Sequence, residues 1–496
     1  MAVKVDTQKE IIFGSSNPNI SRVISKKEKD GELRKLAPRI YTTNLIDSPA
    51  NIVRRNLIEI LAYRYPNALI SHRSAKEMRP TSTGDFFLTN STTRRVTDLP
   101  GIILNFVKGP KATAHDIPFM GIHISGEHRY MLENMQLSRK SGDESRVLPI
   151  SVIENKLEQL LLTGGEERLN QYRDELREVA NELGMADEFS KINNIISALL
   201  STHDARVLST DSAKARASGN PFDANRVGLF EILFDTIKDC YFVIRNNRNT
   251  DEDSFRLFSF FESYFSNYIE GTEFDIEEAK EIVDSGIPMP RRDEDSHDIL
   301  GTFKILSNRT EMRRVPTSPE ELFAILSHRH TILLEGRPHM NPGVFKMRNN
   351  RAGQTEFVDY QLVKGTLSQG FKYYSALTDP FARAIFMMFM ISEVHPFNDG
   401  NGRIARVMMN AEFVRADQSR IIVPTVFRED YILALRKLTR HKDPMAYINV
   451  MTKLHQFSDN LYGTDFTELK NYLAACNAYE EPSQAKLQII DRSIRH

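Results

Sequence analysis

The sequence predicts a mainly α protein: a helical core carrying a short β-hairpin flap, preceded by an α+β N-terminal domain in winged-helix order. Three observations predict it. Phe381 to Val394 (FARAIFMMFMISEV) is apolar almost all round, as a helix buried in a domain centre must be. Phe255 to Gly271 (FRLFSFFESYFSNYIEG) reads as an aromatic-rich helix ended by a glycine in the usual C-cap place. The β-like runs Asp85–Thr89 and Ile102–Val107, by contrast, fall early in the chain behind helical stripes.

Taken in order, residues 1 to about 30 are polar, with the charge run Lys26 to Asp30, and predict a loose arm or extended start. Ser48 suits an N-cap and Pro49 the first helical position, and Ile52, Leu57, Ile58, Ile60 and Leu61 give an apolar stripe. A short helix around Ser74 to Met78 follows Ala68-Leu69-Ile70, and the two β-like runs are expected to pair as a hairpin with Arg94 and Arg95 on its edge. These features make residues 1–120 a basic accessory domain. Residues 121–215 read as a helical accessory region, with Ile153, Leu157, Leu160 and Leu161 on one stripe, and Ala213 to Asp223 reads as the linker beyond it.

The core is expected over residues 225–460. Asp275 and Glu278 start a helix in capping-box style, and Ile287 to Asp293 forms a loop. His297 and Asp298 read as helix-start residues, and His328, His330 and His339 have no metal-ligand spacing. A flap is expected over residues 341–363, with Val344–Met347 and Thr355–Val358 as strands and a turn at Asn349 to Gly353. Residues 461–496 are expected to be a helical extension.

The chemistry concentrates in His395-Pro396-Phe397-Asn398-Asp399-Gly400-Asn401-Gly402-Arg403-Ile404-Ala405-Arg406. Pro396 discourages helix at His395, the glycines permit a tight turn, and Ile404, Val407 and Met408 resume helical spacing. Free N–H groups at the start of the second helix form an anion site, to which Gly400 and Gly402 give close approach and Asn401 can add an amide donor. Arg403 and Arg406, three apart, can hold phosphate oxygens. Asp399 is a hard oxygen ligand of the kind Mg²⁺ shares with phosphates, and His395 can accept a proton from a hydroxyl. A capping loop with a satisfied histidine and surface arginines would explain any one of these residues. It does not ask for the ordered set.

That stretch resembles the signature of the Fic family, H-P-F-x-D/E-G-N-G-R-x-x-R, matched at every fixed position. The resemblance implies transfer of AMP from Mg-ATP to a Ser, Thr or Tyr hydroxyl of a target protein, the chain itself included. It makes His395 the base, Asp399 the metal ligand, Gly400, Asn401, Gly402, Arg403 and Arg406 the phosphate site, and Phe397 the anchor of the loop. Ser266-Asn267-Tyr268-Ile269-Glu270-Gly271 resembles the inhibitory motif S/T-x-x-x-E-G/N of class II members, which implies that Glu270 pairs with Arg406. Tyr431 is a nucleotide-contact candidate. Thr439 stands where many members have asparagine, which leaves the adenine contacts open. The flap, in such enzymes, aligns the target segment by strand addition. The wording RKLAPRIYTTNL and the strand pair resemble the regulator-like N-terminal domains of AbiEi-type antitoxins, which implies a DNA or protein partner there. Three readings stay open: an adenylyltransferase autoinhibited by Glu270, a nucleotide-sensing DNA-binding regulator, and an enzyme that mainly removes AMP with Glu270 positioning water.

Composition bounds these readings. A chain of 496 residues, 41% hydrophobic and 26% charged, suits several globular domains. No basic start followed by an apolar run stands at MAVKVDTQKEIIF, and no stretch approaches a membrane span, so the expected setting is soluble and cytoplasmic, without a membrane partner. Two cysteines, Cys240 and Cys476, are too few for a disulfide framework and are expected to be packing residues. Residues 1–111 carry 19 Lys and Arg against 10 Asp and Glu, an excess of +9 that leaves −10 for the rest. That excess fits an anionic partner such as DNA, and equally a solvated basic face. A second copy of the chain, as a homodimer, is a further expected partner. The P-loop pattern and the kinase H-R-D and D-F-G set are absent from the sequence.

Overall fold

A computed structural model of the chain describes residues 9–200, 207–352 and 355–492. It divides into two compact units, Met1–Ser218 and Gly219–His496.

In the first unit, the expected loose arm is ordered. Ile11–Phe13 pairs with Ile40–Thr42, which pairs with Arg34–Ala37, giving a three-stranded antiparallel sheet. Between them runs the helix Pro18–Lys29, capped by the Asn17 side chain with Pro18 at its first position. The polar reading missed how few apolar residues suffice: Ile12, Ile24 and Leu33 are buried together. A second, six-stranded sheet runs in the order Arg94–Leu99, Ile102–Lys108, Asp85–Asn90, Leu69–Ile70, Ile122–Ile124, Ile117–Phe119. Here the expected hairpin is corrected. Ile102–Lys108 turns back against Arg94–Leu99 and lies parallel to Asp85–Asn90. Arg94 does not stand free on that edge, because its guanidinium lies over the Phe106 and Tyr65 rings.

The helix Ile150–Leu183 is interrupted at Gly165, whose φ of 68° no helix admits, and Ala186–Leu199 packs back on it. Part of the expected linker is helical: Asp211–Ala217 is capped by Thr210. The buried Glu154 carboxylate holds that start by accepting the N–H groups of Ser209 and Thr210.

The second unit is helical. Pro380–Val394 lies at its centre with every apolar side chain buried except the Pro380 ring, and Asn401–Arg415 follows after the loop. Glu252–Ile269, Asp293–Leu306, Pro319–Leu333, Val363–Ala376, Arg428–His441 and Pro444–Ser458 surround this pair. The flap is shorter than expected: Arg351–Ala352 pairs with Thr355–Glu356, and Val344–Met347 forms no strand. Lys346 gives its backbone N–H to Pro396 O instead, which ties that limb to the motif loop. Gly353, expected in the turn, lies outside the described residues. In the C-terminal extension Phe466–Ala475 is helical, while residues 476–492 carry no helix. Cys476 is buried as a packing residue, whereas Cys240 is exposed, contrary to expectation. No described helix is long and apolar enough to cross a membrane.

Candidate active site

The loop between the two central helices begins with His395 in the left-handed region (φ 52°), capping Pro380–Val394 through its N–H to Ile391 O. Its ring Nδ1 lies 3.1 Å from Ser392 O, an acceptor only, so Nδ1 carries the proton and Nε2 is left as the basic atom. Phe357, at the foot of the flap, stacks on the ring with centroids 3.5 Å apart. Burial pushes the imidazole down to about 4, with Lys346 adding to the effect, and the ring is neutral at physiological pH.

Phe397 is fully buried, stacked on His330 at 3.7 Å. His330 in turn ties two segments together: Nε2 donates to Asp399 O and Nδ1 accepts from Gly343 N–H. Asn401 takes a different part from the one expected. Its Oδ1 accepts the Phe397 N–H at 2.8 Å and its Nδ2 donates to Phe397 O at 2.9 Å, so the amide closes the loop on itself and is spent there. Asn350 adds a second bond to Phe397 O and Lys346 Nζ bonds Asn350, so the flap base clasps the same turn.

Gly400, at φ 71°, is the N-cap of Asn401–Arg415. Asp399 accepts the Gly400 N–H with Oδ1, while Oδ2 stands 3.7 Å from Arg403 Nη2 and the side chain is 38% exposed. One carboxylate with a free oxygen fits Mg²⁺ as a shared ligand, since that ion keeps waters and takes substrate phosphates. No group of three metal-ligating side chains exists among the described residues.

The helix Glu252–Ile269 lies along Asn401–Arg415 in opposite sense. Glu262 accepts from Asn410 Nδ2, Ser266 accepts from Arg406 Nε with its Oγ at 2.9 Å, and Glu270 reaches the helix start. Arg406 Nη2 donates to Ser266 O at 2.9 Å and to Glu270 Oε1 at 2.7 Å. Burial opposes the charge on Glu270, and the Arg406 guanidinium outweighs it, leaving the carboxyl below its ordinary range. A Cβ on Gly402 would lie 2.2 Å from Glu270 Oε1, so this carboxylate rests directly on the turn where the sequence places phosphate.

Arg403 forms an ion pair with Asp298 Oδ2 at 2.8 Å and donates to Asn267 Oδ1 at 3.3 Å. Tyr431 is buried, its hydroxyl toward Met388 Sδ at 3.6 Å with the Arg406 charge beside it, and presents no open face to a nucleotide. Thr439 Oγ1 bonds Glu393, which also pairs with Arg226. The structure thus gathers His395, Phe397, Asp399, Gly400, Gly402, Arg403, Arg406, Ser266 and Glu270 at one place.

Sequence reasoning missed His330, Lys346, Phe357 and Asp298. Two carried a signal: His330 falls on the buried stripe of Leu322, Ile325, Leu326 and Leu333, and Asp298 on that of Ile305 and Thr302. A polar group on an apolar face must find a partner. His297, beside it, points outward to Asp293 at 3.8 Å, and His328 is exposed.

Residues 318–412 match the Fic/DOC family. The chain is 30% identical over 115 residues to protein adenylyltransferase fic-1 of Caenorhabditis elegans, covering 23% of this chain and 22% of that one. It is 24% identical over 214 residues to protein adenylyltransferase Fic of Nematostella vectensis, covering 40% and 47%. The chain therefore spans from about a fifth to about half the length of these curated relatives. Among solved structures it resembles Fic-1 (residues 134–508) of C. elegans, with 17% identity, 66% of this chain and 92% of that one covered, and a TM-score of 0.36. It also resembles a Fic domain-containing signalling protein of Bacteroides thetaiotaomicron, with 16% identity, coverage of 48% and 94%, and a TM-score of 0.37.

Proposed function

We propose that this chain, whose residues 318–412 match the Fic/DOC family, transfers AMP from Mg-ATP to a Ser, Thr or Tyr hydroxyl of a protein, its own chain among the acceptors, and that Glu270 restrains it. The observation that carries the reading is the neutral His395, with Nδ1 committed to Ser392 and Nε2 free, set just before the Gly400-capped start of the helix Asn401–Arg415. Nε2 takes the proton of the acceptor hydroxyl as its oxygen attacks the α-phosphorus; the bond to the bridging oxygen breaks and pyrophosphate leaves. The Gly400–Gly402 turn and the free N–H groups of the helix start hold phosphate oxygens. Arg403 and Arg406 offset the charge that grows on the leaving group. Asp399 would hold Mg²⁺, which when bound draws charge from the phosphates.

Glu270 competes for the same place. Arg406 cannot serve both this carboxylate and a γ-phosphate, and the Glu270 side chain lies against Gly402. Nucleotide bound beside it would sit out of line, which costs rate through lost positioning. A reading as an AMP-removing enzyme draws on one further observation: only Oε1 of Glu270 is bonded, and the side chain is 35% exposed, so Oε2 can orient a water.

The test is a labelled-ATP time course on full-length wild type, Glu270→Gly, and Glu270→Gly with His395→Ala or Asp399→Ala. Glu270→Gly should raise protein labelling, including self-labelling. His395→Ala should cut it by roughly two to four orders of magnitude with ATP still bound, and Asp399→Ala should weaken Mg²⁺-dependent binding and transfer together. Full transfer without His395 would end the reading. Loss of AMP removal in Glu270→Gly, without gain of labelling, would favour the removing enzyme.

A further inference from the structure

Beside the phosphate turn, two arginines share one buried carboxylate. Asp298 Oδ2 accepts from Arg337 Nη2 at 2.7 Å and forms an ion pair with Arg403 Nη1 at 2.8 Å, and its Oδ1 accepts from Arg337 Nε at 3.1 Å. Only Arg403 belongs to the His395–Arg406 stretch. Arg337 comes from the turn that follows the helix Pro319–Leu333. We propose that Arg337 is a third phosphate-binding arginine, held by Asp298 beside Arg403 to receive the terminal phosphates of the nucleotide. This rests on the adenylyl-transfer reading and adds to it a residue from outside the motif.

Three observations support it. First, beyond Asp298 the Arg337 guanidinium meets only partly or largely exposed carboxylates: Nη1 pairs with Glu294 at 3.3 Å and Nη2 stands 3.7 Å from Asp295, so these pairs are readily given up. The rest of the fork is fixed by two bonds to Asp298, which keeps the guanidinium plane in place without further ordering cost.

Second, Arg403 has unspent donor capacity: its Nε is buried and without a hydrogen-bond partner. Third, only one of the carboxylates that balance these arginines is buried. Asp298 faces both guanidinium groups; the other carboxylates near them are Glu294 and Asp295, 3.3 and 3.7 Å from Arg337, and Asp399, 3.7 Å from Arg403, all at least a third exposed. A divalent cation on Asp399 would engage that charge, leaving Asp298 as the one buried carboxylate between the two guanidinium groups, with only the more exposed Glu294 and Asp295 beyond it on the Arg337 side. Surplus buried charge is costly unless paired, and a phosphate oxygen supplies the pairing. Asp298 itself is a positioning residue: both its oxygens are taken by arginine, and neither is left for a ligand.

The experiment measures Mg-ATP and AMP binding by calorimetry, on the full-length Glu270→Gly protein and on the same protein with Arg337→Gln, Arg337→Lys or Asp298→Asn. Arg337→Gln should weaken Mg-ATP about tenfold while AMP, which lacks the terminal phosphates, stays within about twofold. Arg337→Lys, which keeps the charge but not the fork, should fall between. Asp298→Asn should weaken Mg-ATP more than AMP as well. Retained AMP binding reports an intact site in each variant. Arg337→Gln binding Mg-ATP as tightly as its parent, or losing ATP and AMP alike, overturns the assignment and leaves the adenylyl-transfer reading standing. A Glu270→Gly parent that binds neither nucleotide overturns both.

Discussion

His395 owes its neutrality to being covered: Phe357 lies on one face, and the ring is held by Ser392 at the end of a buried helix. A base that stays unprotonated down to about pH 4 works across a wider range than an exposed histidine with its ordinary 6.5. Single-turnover self-labelling by Glu270→Gly should therefore hold its rate from pH 8 to about 5.5, and fall only toward 4. A decline centred near 6.5 would mean that the ring is uncovered in the working state. The same scale explains what the sequence made legible. Functional groups packed into twelve consecutive residues announce themselves, because packing alone does not ask for them. Asn401 could not be placed the same way, since an amide is donor and acceptor at once and its partner is chosen when the loop closes. Phe357 stood too far away in sequence for any local pattern to connect it to His395.

Between elements, the helices Glu252–Ile269 and Asn401–Arg415 meet in a register that steps four residues at a time: Glu262 with Asn410, Ser266 with Arg406, Glu270 with Gly402. Apolar periodicity foretold both helices and their buried faces, yet periodicity says only that a face is buried and never against what. The pairing of Glu270 with Arg406 came from resemblance. In this register, Ser266 steadies the guanidinium that Glu270 occupies. Ser266→Ala should loosen Arg406 and raise self-labelling by a few-fold, less than Glu270→Gly does, with the unfolding free energy lowered by no more than about 1 kcal/mol. Glu262→Ala should behave differently. It strips Arg420 and Asn410 of a fully buried partner and should cost about 3–5 kcal/mol in urea unfolding.

Across the whole molecule, charge and burial set different limits. The excess of +9 over residues 1–111 shrinks to +4 by Ser218, where the first compact unit ends, because the helical region is acidic. Within the unit Arg55, Arg64, Arg73 and Arg129 are already paired with carboxylates. A window drawn by composition stopped short of the residues that balance it. In the second unit, burial holds His330, His395 and His455 down to about 4. Each ring stays neutral in the fold but takes a proton in the unfolded chain below 6.5. Stability is thus complete above 6.5 and is lost as the pH falls toward 4, by up to about 3 kcal/mol for each fully buried ring. Melting of the full chain between pH 7 and 4.5 should show a steadily falling midpoint, and His455→Gln should flatten part of that slope while starting lower.

At Gly402 there is no room for even a methyl group while Glu270 is seated, and on the proposed reading the same volume is what a phosphate would fill. On that reading a larger side chain at 402 would evict Glu270 and the nucleotide phosphate together. Mutational escape from restraint is therefore closed at the turn itself and open at Glu270 and its supports. Drift that activates the protein should accumulate on the helix Glu252–Ile269 and its cap, leaving the turn untouched.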